Sequence, residues 1–253
     1  MLRVGIDTGG TNTDLVAIDE QGGIVISKRP STVAAPEIGV LDAFDGSGIA
    51  SEEVRHFVLG TTIATNARLQ GTGARVLYLA TEGFQDIPLI GSISRPYAYD
   101  LSWRKPDPGV LRRDCFGVAE RIDYKGGVVT PLTQAEIARV LDQVEEALGT
   151  GCSIAVNFMF SYRNAEHERA LGEALRARFP TVPVSLSHEV APIWREYHRA
   201  TTTILAASVR PMLQSFITDL ERELSARSLG ARLAIMKSNG GQMLSDHAPD
   251  RSA

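Results

Sequence analysis

The sequence predicts an α/β fold in which a mixed sheet is flanked by helices. Three observations carry that prediction. The first thirty residues read as a three-stranded meander. From Thr133 to Leu186, helical and strand patterns alternate, which calls for parallel neighbours with helices on the sheet faces. Between the first two strands lies a Gly9-Gly10-Thr11 loop, a sharp turn rather than a long connection.

Taken in order, Leu2–Asp7, Thr13–Asp19 and Gly23–Lys28 are the meander strands, and Glu20–Gly23 supplies the turn between the last two. Arg55–Leu59 and Ala74–Ala80 read as buried strands separated by a short helix over Thr62–Leu69. Four prolines (Pro88, Pro96, Pro106, Pro108) and Gly109 mark irregular loop over 88–115. Thr133 and Glu136 form a capping box that opens a helix, with Ile137, Val140, Leu141, Val144 and Leu148 on one face. Strand Ser153–Phe160, helix Ala165–Arg178 and strand Val182–Leu186 follow. Arg199–Arg227 is a long helical stretch expected to bend or break near Pro211. Ala231–Met236 is a last strand, and Ser245–Ala253 reads as a polar tail or as the boundary of a longer chain.

Composition excludes several classes of function. With 26 basic and 30 acidic residues in 253, the net charge of −4 gives no reason to expect a nucleic-acid partner. No apolar run approaches the roughly 18–20 residues that span a membrane. Met1 leads straight into a strand, leaving no room for a signal peptide. Cys115 and Cys152 lack CxxC spacing and read as buried or idle thiols in a reducing cytoplasm, so the expected location is cytoplasmic.

The loop Gly5-Ile6-Asp7-Thr8-Gly9-Gly10-Thr11-Asn12-Thr13-Asp14 carries the chemistry. Glycines let backbone N–H groups approach phosphate oxygens, since no Cβ intervenes and positive φ is allowed. Thr11 and Thr13 add hydroxyl donors. Asp7, at the carboxyl end of the first strand, is placed to hold Mg²⁺ through water. Asp14 either orders the loop or reaches the metal. A bare Gly-Gly hairpin binds nothing as a rule, but the full strand-D-x-G-G-T-x-T-D string favours phosphate. It is neither a GxxxxGK[ST] loop nor a GxGxxG fingerprint.

These residues and later strings resemble the hydantoinase A/5-oxoprolinase family, within the acetate kinase–sugar kinase–Hsp70–actin superfamily. GIDTGGTNTD at Gly5–Asp14 is similar to that family's GxDxGGTFTD, and Gly60-Thr61-Thr62-Ile63-Ala64-Thr65-Asn66-Ala67 to its GTTVATNAL segment. Thr81–Asp86 with Ile90-Gly91 and Arg95-Pro96, then Glu120–Asp123, Ser187-His188-Glu189, Arg195-Glu196-Tyr197 and Ser238–Gly241, follow in family order. Ser92 stands where the family has arginine, and His198 where it has glutamate.

The resemblance implies an actin/Hsp70/sugar-kinase-like (ribonuclease H-like) lobe. Residues 1–185 would be the hydantoinase/oxoprolinase N-terminal domain, and 186–253 the start of a hydantoinase A domain that is cut short. The expected cofactors are ATP and Mg²⁺, and the expected substrate is a small cyclic amide. Asp7 would be catalytic through the metal, while Gly9, Gly10, Thr11, Asn12, Thr13 and Asp14 hold the nucleotide. Thr61, Thr62 and Asn66 are candidates for the substrate wall, although helix capping explains one threonine equally well. A second phosphate loop, present in family members beyond the SNGG turn, does not occur here, so this chain alone would bind nucleotide weakly and be inactive. A hydantoinase B-type subunit or domain and a homo-oligomer are the expected partners. A sugar or small-molecule kinase, or a non-catalytic nucleotide-binding module, are the alternatives.

Other side chains read as ordinary surface. His56, His167 and His247 are expected to be exposed and without partners, and His188 with Glu189 to be a solvated loop pair. Arg95-Pro96-Tyr97 reads as a solvated loop, with an anionic substrate as the alternative. Asp219–Arg227 reads as an ion-pair-laced helix face.

Overall fold

The computed structural model describes residues 1–32, 34–92, 96–97, 99–237 and 240–245. Strands β1 (Leu2–Thr8), β2 (Asn12–Ile18) and β3 (Ile24–Pro30) open the chain, followed by helix α1 (Pro36–Asp45) and strand β4 (Val54–Thr61). Next come α2 (Ile63–Gln70), β5 (Arg75–Thr81), the short α3 (Ile87–Ile90), β6 (Cys115–Val118), β7 (Arg121–Ile122) and β8 (Val128–Thr130). The remainder is α4 (Gln134–Ala147), β9 (Cys152–Asn157), α5 (Glu166–Arg178), β10 (Val184–Leu186), α6 (Ser187–Val190), α7 (Glu196–Ala226), β11 (Leu233–Met236) and β12 (Gln242–Leu244).

Packing divides the chain into two compact units, residues 1–73 with 212 onward, and 74–211. The first unit holds a mixed six-stranded sheet in the order β12-β11-β4-β1-β2-β3. β4 runs parallel to both β1 and β11, while β1, β2 and β3 form the antiparallel meander. One sheet face carries Val4, Ile6, Leu15, Phe57 and Leu59 and is covered by α1 and by the second half of α7 through Phe216, Ile217 and Leu220. The opposite face keeps Val16, Ile18, Ile24 and Ile26 exposed.

The second unit holds four parallel strands in the order β10-β9-β5-β6. β5 and β9 are buried on both faces, which is why they read as continuous apolar runs. α4 and α5 cover Leu77, Leu79, Ile154 and Val156, while Ala200, Ile204 and Ala207 of α7 cover Val76, Tyr78 and Ala80. The Ala74 N–H donates to Ser208 O at 2.8 Å, tying the two ends of this unit together. Both cysteines are buried and free, and burial pushes the Cys115 thiol up to about 12.

Three details differ from the sequence reading. α1 escapes the pattern because Gly39 interrupts it and Ala35 gives no side-chain cap; Thr32 supplies the cap instead, accepting from Gly39 N at 3.0 Å. α7 runs as one 31-residue helix through Pro211, without the expected break, because each half is anchored in its own core. Only half of the capping box forms. Thr133 Oγ1 accepts from Glu136 N at 3.2 Å, but the Glu136 carboxylate turns to Ala119 N at 2.8 Å and to Arg139.

Candidate functional site

Strand alternation decides what each residue of the first motif faces. In β1, Val4, Ile6 and Thr8 are buried on the helix side, whereas Arg3, Gly5 and Asp7 face the open side. Neighbouring Asp7 and Thr8 therefore belong to opposite faces, with the Gly9-Gly10-Thr11 loop at the rim between them.

On the helix side, a cavity of about 540 Å³ is lined by Thr8, Gly9, Gly10, Thr62, Asn66 and Phe216, among others. The structure thus brings together two motifs some fifty residues apart in the sequence. Asn66 Nδ2 donates to Thr62 Oγ1 at 3.2 Å, and a Cβ on Gly10 would stand 3.7 Å from that amide. Thr61 is not part of the lining; its hydroxyl accepts from Ile63 N at 3.2 Å, a capping contact at the start of α2. Thr13 lies beneath the loop, fully buried and bonded to Ser31 Oγ at 2.9 Å, and Ser31 N donates to Thr11 O at 2.9 Å. Thr11 and Asn12 are exposed. Gly9 and Gly10 do not use positive φ. Gly9 sits at a close approach, where a Cβ would stand 3.3 Å from Asn12 O.

Thr8 is the residue the sequence reading passed over. It is 3 % exposed, lines the cavity, and its Oγ1 has no hydrogen-bond partner. A buried hydroxyl left unpaired is costly, and a ligand carbonyl or N–H would satisfy it. Thr8→Val keeps the shape and removes the orphan. Its thermal midpoint is expected to stay level or rise, while the affinity for a small ligand that bonds this hydroxyl in the cavity falls about 2- to 10-fold, the equivalent of one hydrogen bond.

On the open side, Asp7 is paired in register with Asp14 on β2 and with Gly60 on β4. Gly60 lets the carboxylate lie flat, since a Cβ there would stand 3.1 Å from Asp7 Oδ1. Asp14 is bound by Lys28 Nζ at 2.7 Å, whereas Asp7 has no cation of its own among the described residues. Like charges directly opposite on a sheet repel. Among the described residues, no three His, Cys, Asp or Glu side chains converge on a metal position. One or two carboxylates facing water is the donor set that suits Mg²⁺, which retains water and takes phosphate oxygens.

The second unit has a polar crest where its parallel strands end, the usual place for chemistry in such sheets. Glu168 of α5 is fully buried and accepts from Phe158 N (2.7 Å), Ser187 Oγ (2.6 Å), His188 N (3.0 Å) and His188 Nδ1 (2.7 Å). Arg199, also fully buried, donates to Asn157 Oδ1, Ser187 Oγ, Ile193 O and Phe158 O, and pairs closely with Glu196. Burial raises the Glu196 carboxyl above its ordinary value, with Arg199 opposing. Next to it, His167 Nδ1 meets Glu120 Oε2 at 2.7 Å, and Thr81 Oγ1 donates to the other Glu120 oxygen. Burial raises Glu120 as well.

This corrects two expectations. His167 is buried and paired, not exposed, and His188 is held by Glu168 in a helical turn rather than solvated beside Glu189, which instead pairs with Arg176 at 3.1 Å. His56 is exposed, and the Asp219–Arg227 face does carry ion pairs, Arg222–Asp219 at 2.9 Å and Arg227–Glu223 at 3.2 Å. His247, Arg95, Ser238 and Asn239 lie outside the described residues.

Residues 3–179, well over half of the chain, match the hydantoinase/oxoprolinase N-terminal region as a family. The chain belongs to this family. The caprolactamase subunit alpha of Pseudomonas jessenii is 32% identical over 252 residues, 94% of this chain and 36% of that subunit. The crystal structure of the ATP-dependent caprolactamase from the same organism superposes with a TM-score of 0.79 at 30% identity, covering 95% of this chain and 36% of the other. A nucleotide-free acetone carboxylase, from a study of ATP-dependent acetone carboxylation, gives a TM-score of 0.83 at 25% identity over 98% of this chain and 38% of the other. This hydantoinase/oxoprolinase-family chain therefore spans a little over a third of the length of such relatives, and across that length it has their α/β fold. Among the described residues no helix is long and apolar enough to cross a membrane.

Proposed function

We propose that this chain is the N-terminal lobe of an ATP-dependent enzyme that opens a small cyclic amide. The observation that carries the reading is the hairpin loop, which stands between a carboxylate-bearing sheet face and a cavity sized for a small molecule. Family membership and a relative named for a lactam support this reading of reaction and substrate class. Bound Mg²⁺-ATP would supply a phosphoryl group that turns a resonance-stabilised amide carbonyl into a good electrophile.

The residues divide the work by face. The backbone N–H groups of Gly10 and Thr11, with Asn12 at the start of β2, hold phosphate at the rim, while the Gly9 N–H closes the turn by donating to Asn12 O at 3.0 Å. Asp7 and Asp14 hold the metal side, Asp7 directly facing water and Asp14 in reserve beside Lys28. Thr13 supports the loop from below through Ser31. Thr62 and Asn66, joined by Thr8, present hydroxyl and amide groups to the cyclic amide in the cavity, while Thr61 orders the start of α2. Within this reading, residues 1–185 are the family's N-terminal domain, and 186–253 begin a hydantoinase A domain that the longer relatives continue. The subunit name of the P. jessenii relative supports a partner chain, and within this reading that partner is of hydantoinase B type.

The test is ADP release by the full-length protein with its partner, measured with ε-caprolactam, 5-oxoproline or no amide. Turnover that requires a lactam supports the reading. Turnover that requires a hydroxyl acceptor instead makes this a kinase lobe, and amide-independent turnover makes it a nucleotide-driven module.

A further inference from the structure

The charge of the helix-side cavity restricts what it can hold. Glu37 and Asp219 line it, and none of its described lining residues is a lysine, an arginine or a histidine. All of these residues belong to the first unit. The two carboxylates are not equivalent. Asp219, on α7, is paired with Arg222 at 2.9 Å and accepts from Ser215 Oγ at 3.3 Å. Glu37 is half-buried in the first turn of α1 and has no cation among the described residues. The positive end of the α1 dipole is thus answered by this carboxylate rather than left open to an anionic ligand.

The rest of the wall is uncharged. Thr8, Thr62 and Asn66 offer hydroxyl and amide groups, and Met212 and Phe216 are apolar. The buried, unpartnered Thr8 hydroxyl is a ready position for a neutral hydrogen-bonding group. A ligand carboxylate in the same space would lose water, gain no cation and face Glu37 across a cavity of about 540 Å³.

We propose that this cavity admits cyclic amides without an acidic substituent and rejects those that carry a carboxylate, with Glu37 as the specificity-determining residue. The proposal rests on the cyclic-amide reading above and narrows it. A lactam bearing a carboxylate, such as 5-oxoproline, is then a poor substrate, and its uncharged carboxamide a better one. Gly10 lines the cavity as well, so phosphate held at the rim adds negative charge to the same wall.

The experiment uses the full-length assembly with Mg²⁺-ATP and two lactams of nearly the same shape, 5-oxoproline and 5-oxoprolinamide, which differ by one negative charge. The kcat/KM of the amide is expected to exceed that of the acid about 10- to 100-fold, as for like charges a few ångströms apart at a partly wet site. Added NaCl should shrink this ratio, because Glu37 is open to solvent on one side. Glu37→Gln should lower the ratio several-fold, and Glu37→Lys should bring it to about one or below. Thermal midpoints confirm that folded proteins are being compared. A preference set by shape alone would respond neither to salt nor to these substitutions. Wild-type parity between the two lactams, a preference for 5-oxoproline, or the wild-type ratio in folded Glu37→Gln and Glu37→Lys proteins each overturns the proposal. If no amide stimulates ADP release, the cyclic-amide reading fails. Calorimetric binding of the same two lactams then decides the charge selection by itself: a clear preference for 5-oxoprolinamide sustains it, and equal binding or none overturns it.

Discussion

Asp7→Asn in the full-length protein is expected to lower ATP-dependent turnover by about 10²- to 10³-fold, the range for removing one preorganised electrostatic group. It is also expected to leave the thermal midpoint unchanged or slightly higher. Both outcomes come from one piece of geometry. Asp7 stands in register with Asp14 across the β1–β2 pair, and Lys28 neutralises Asp14 only. In the absence of a bound cation the two carboxylates repel, a cost of roughly 0.2–1 kcal/mol for such a cross-strand pair, and the amide removes it. On the proposed function, turnover needs the charge and folding does not. Steady-state ADP release together with differential scanning calorimetry separates the two. A variant that retains turnover would take Asp7 out of the mechanism, and one that loses both turnover and midpoint would make it structural.

Arg199→Met is expected to destabilise the protein by about 3–5 kcal/mol, the usual result of removing one member of a buried ion pair. Arg199 is fully buried and its guanidinium serves Asn157, Ser187, Phe158, Ile193 and Glu196. Removing it leaves the half-buried Glu196 without a cation. The sign of the pH dependence follows from burial, which already raises Glu196 above its ordinary 4.5. A carboxyl whose folded value is raised takes up a proton on folding, so its favourable contribution is complete below that ordinary value and is lost as pH rises through the folded value. Without Arg199 the rise is steeper, so urea midpoints of the variant should approach wild type toward pH 5 and fall away toward pH 8. The double variant with Glu196→Gln should recover much of the loss, because the stranded charge is gone. A deficit independent of pH, with no recovery in the double variant, would place the cost in lost packing rather than in Glu196.

What the sequence made legible was local. The meander, the loop and the buried runs of β5 and β9 show in two-residue alternation and apolar runs, and the ordered motifs placed the chain in its family. The opposite facing of Asp7 and Thr8 follows from that same alternation. The make-up of the helix-side cavity does not, because its walls come from Pro36, Asn66 and Phe216, far apart in the chain. His167 reads as surface because its partner, Glu120, lies 47 residues earlier. Glu168 lies one position further along a helix whose polar side reads as solvated, and only the return of Ser187 and His188 at the end of β10 gives it donors. Arg199 gives no local sign of burial, since nothing near it in sequence says that Asn157, Phe158 and Ser187 from other segments converge on it.

The hydrogen bond from Ala74 to Ser208 closes one stretch of polypeptide onto itself, and this has a consequence for how the molecule is made. Residues 74–211 leave the ribosome as an uninterrupted module, whereas the first unit is written in two instalments. At about 5–20 residues per second, β1 to β4 wait many seconds for the rest of their own sheet. Until the second half of α7 and β11 arrive, Phe57 and Leu59 have no complete cover. A nascent chain of this kind therefore carries a finished second module while its Gly9-Gly10-Thr11 loop is still mounted on half a core.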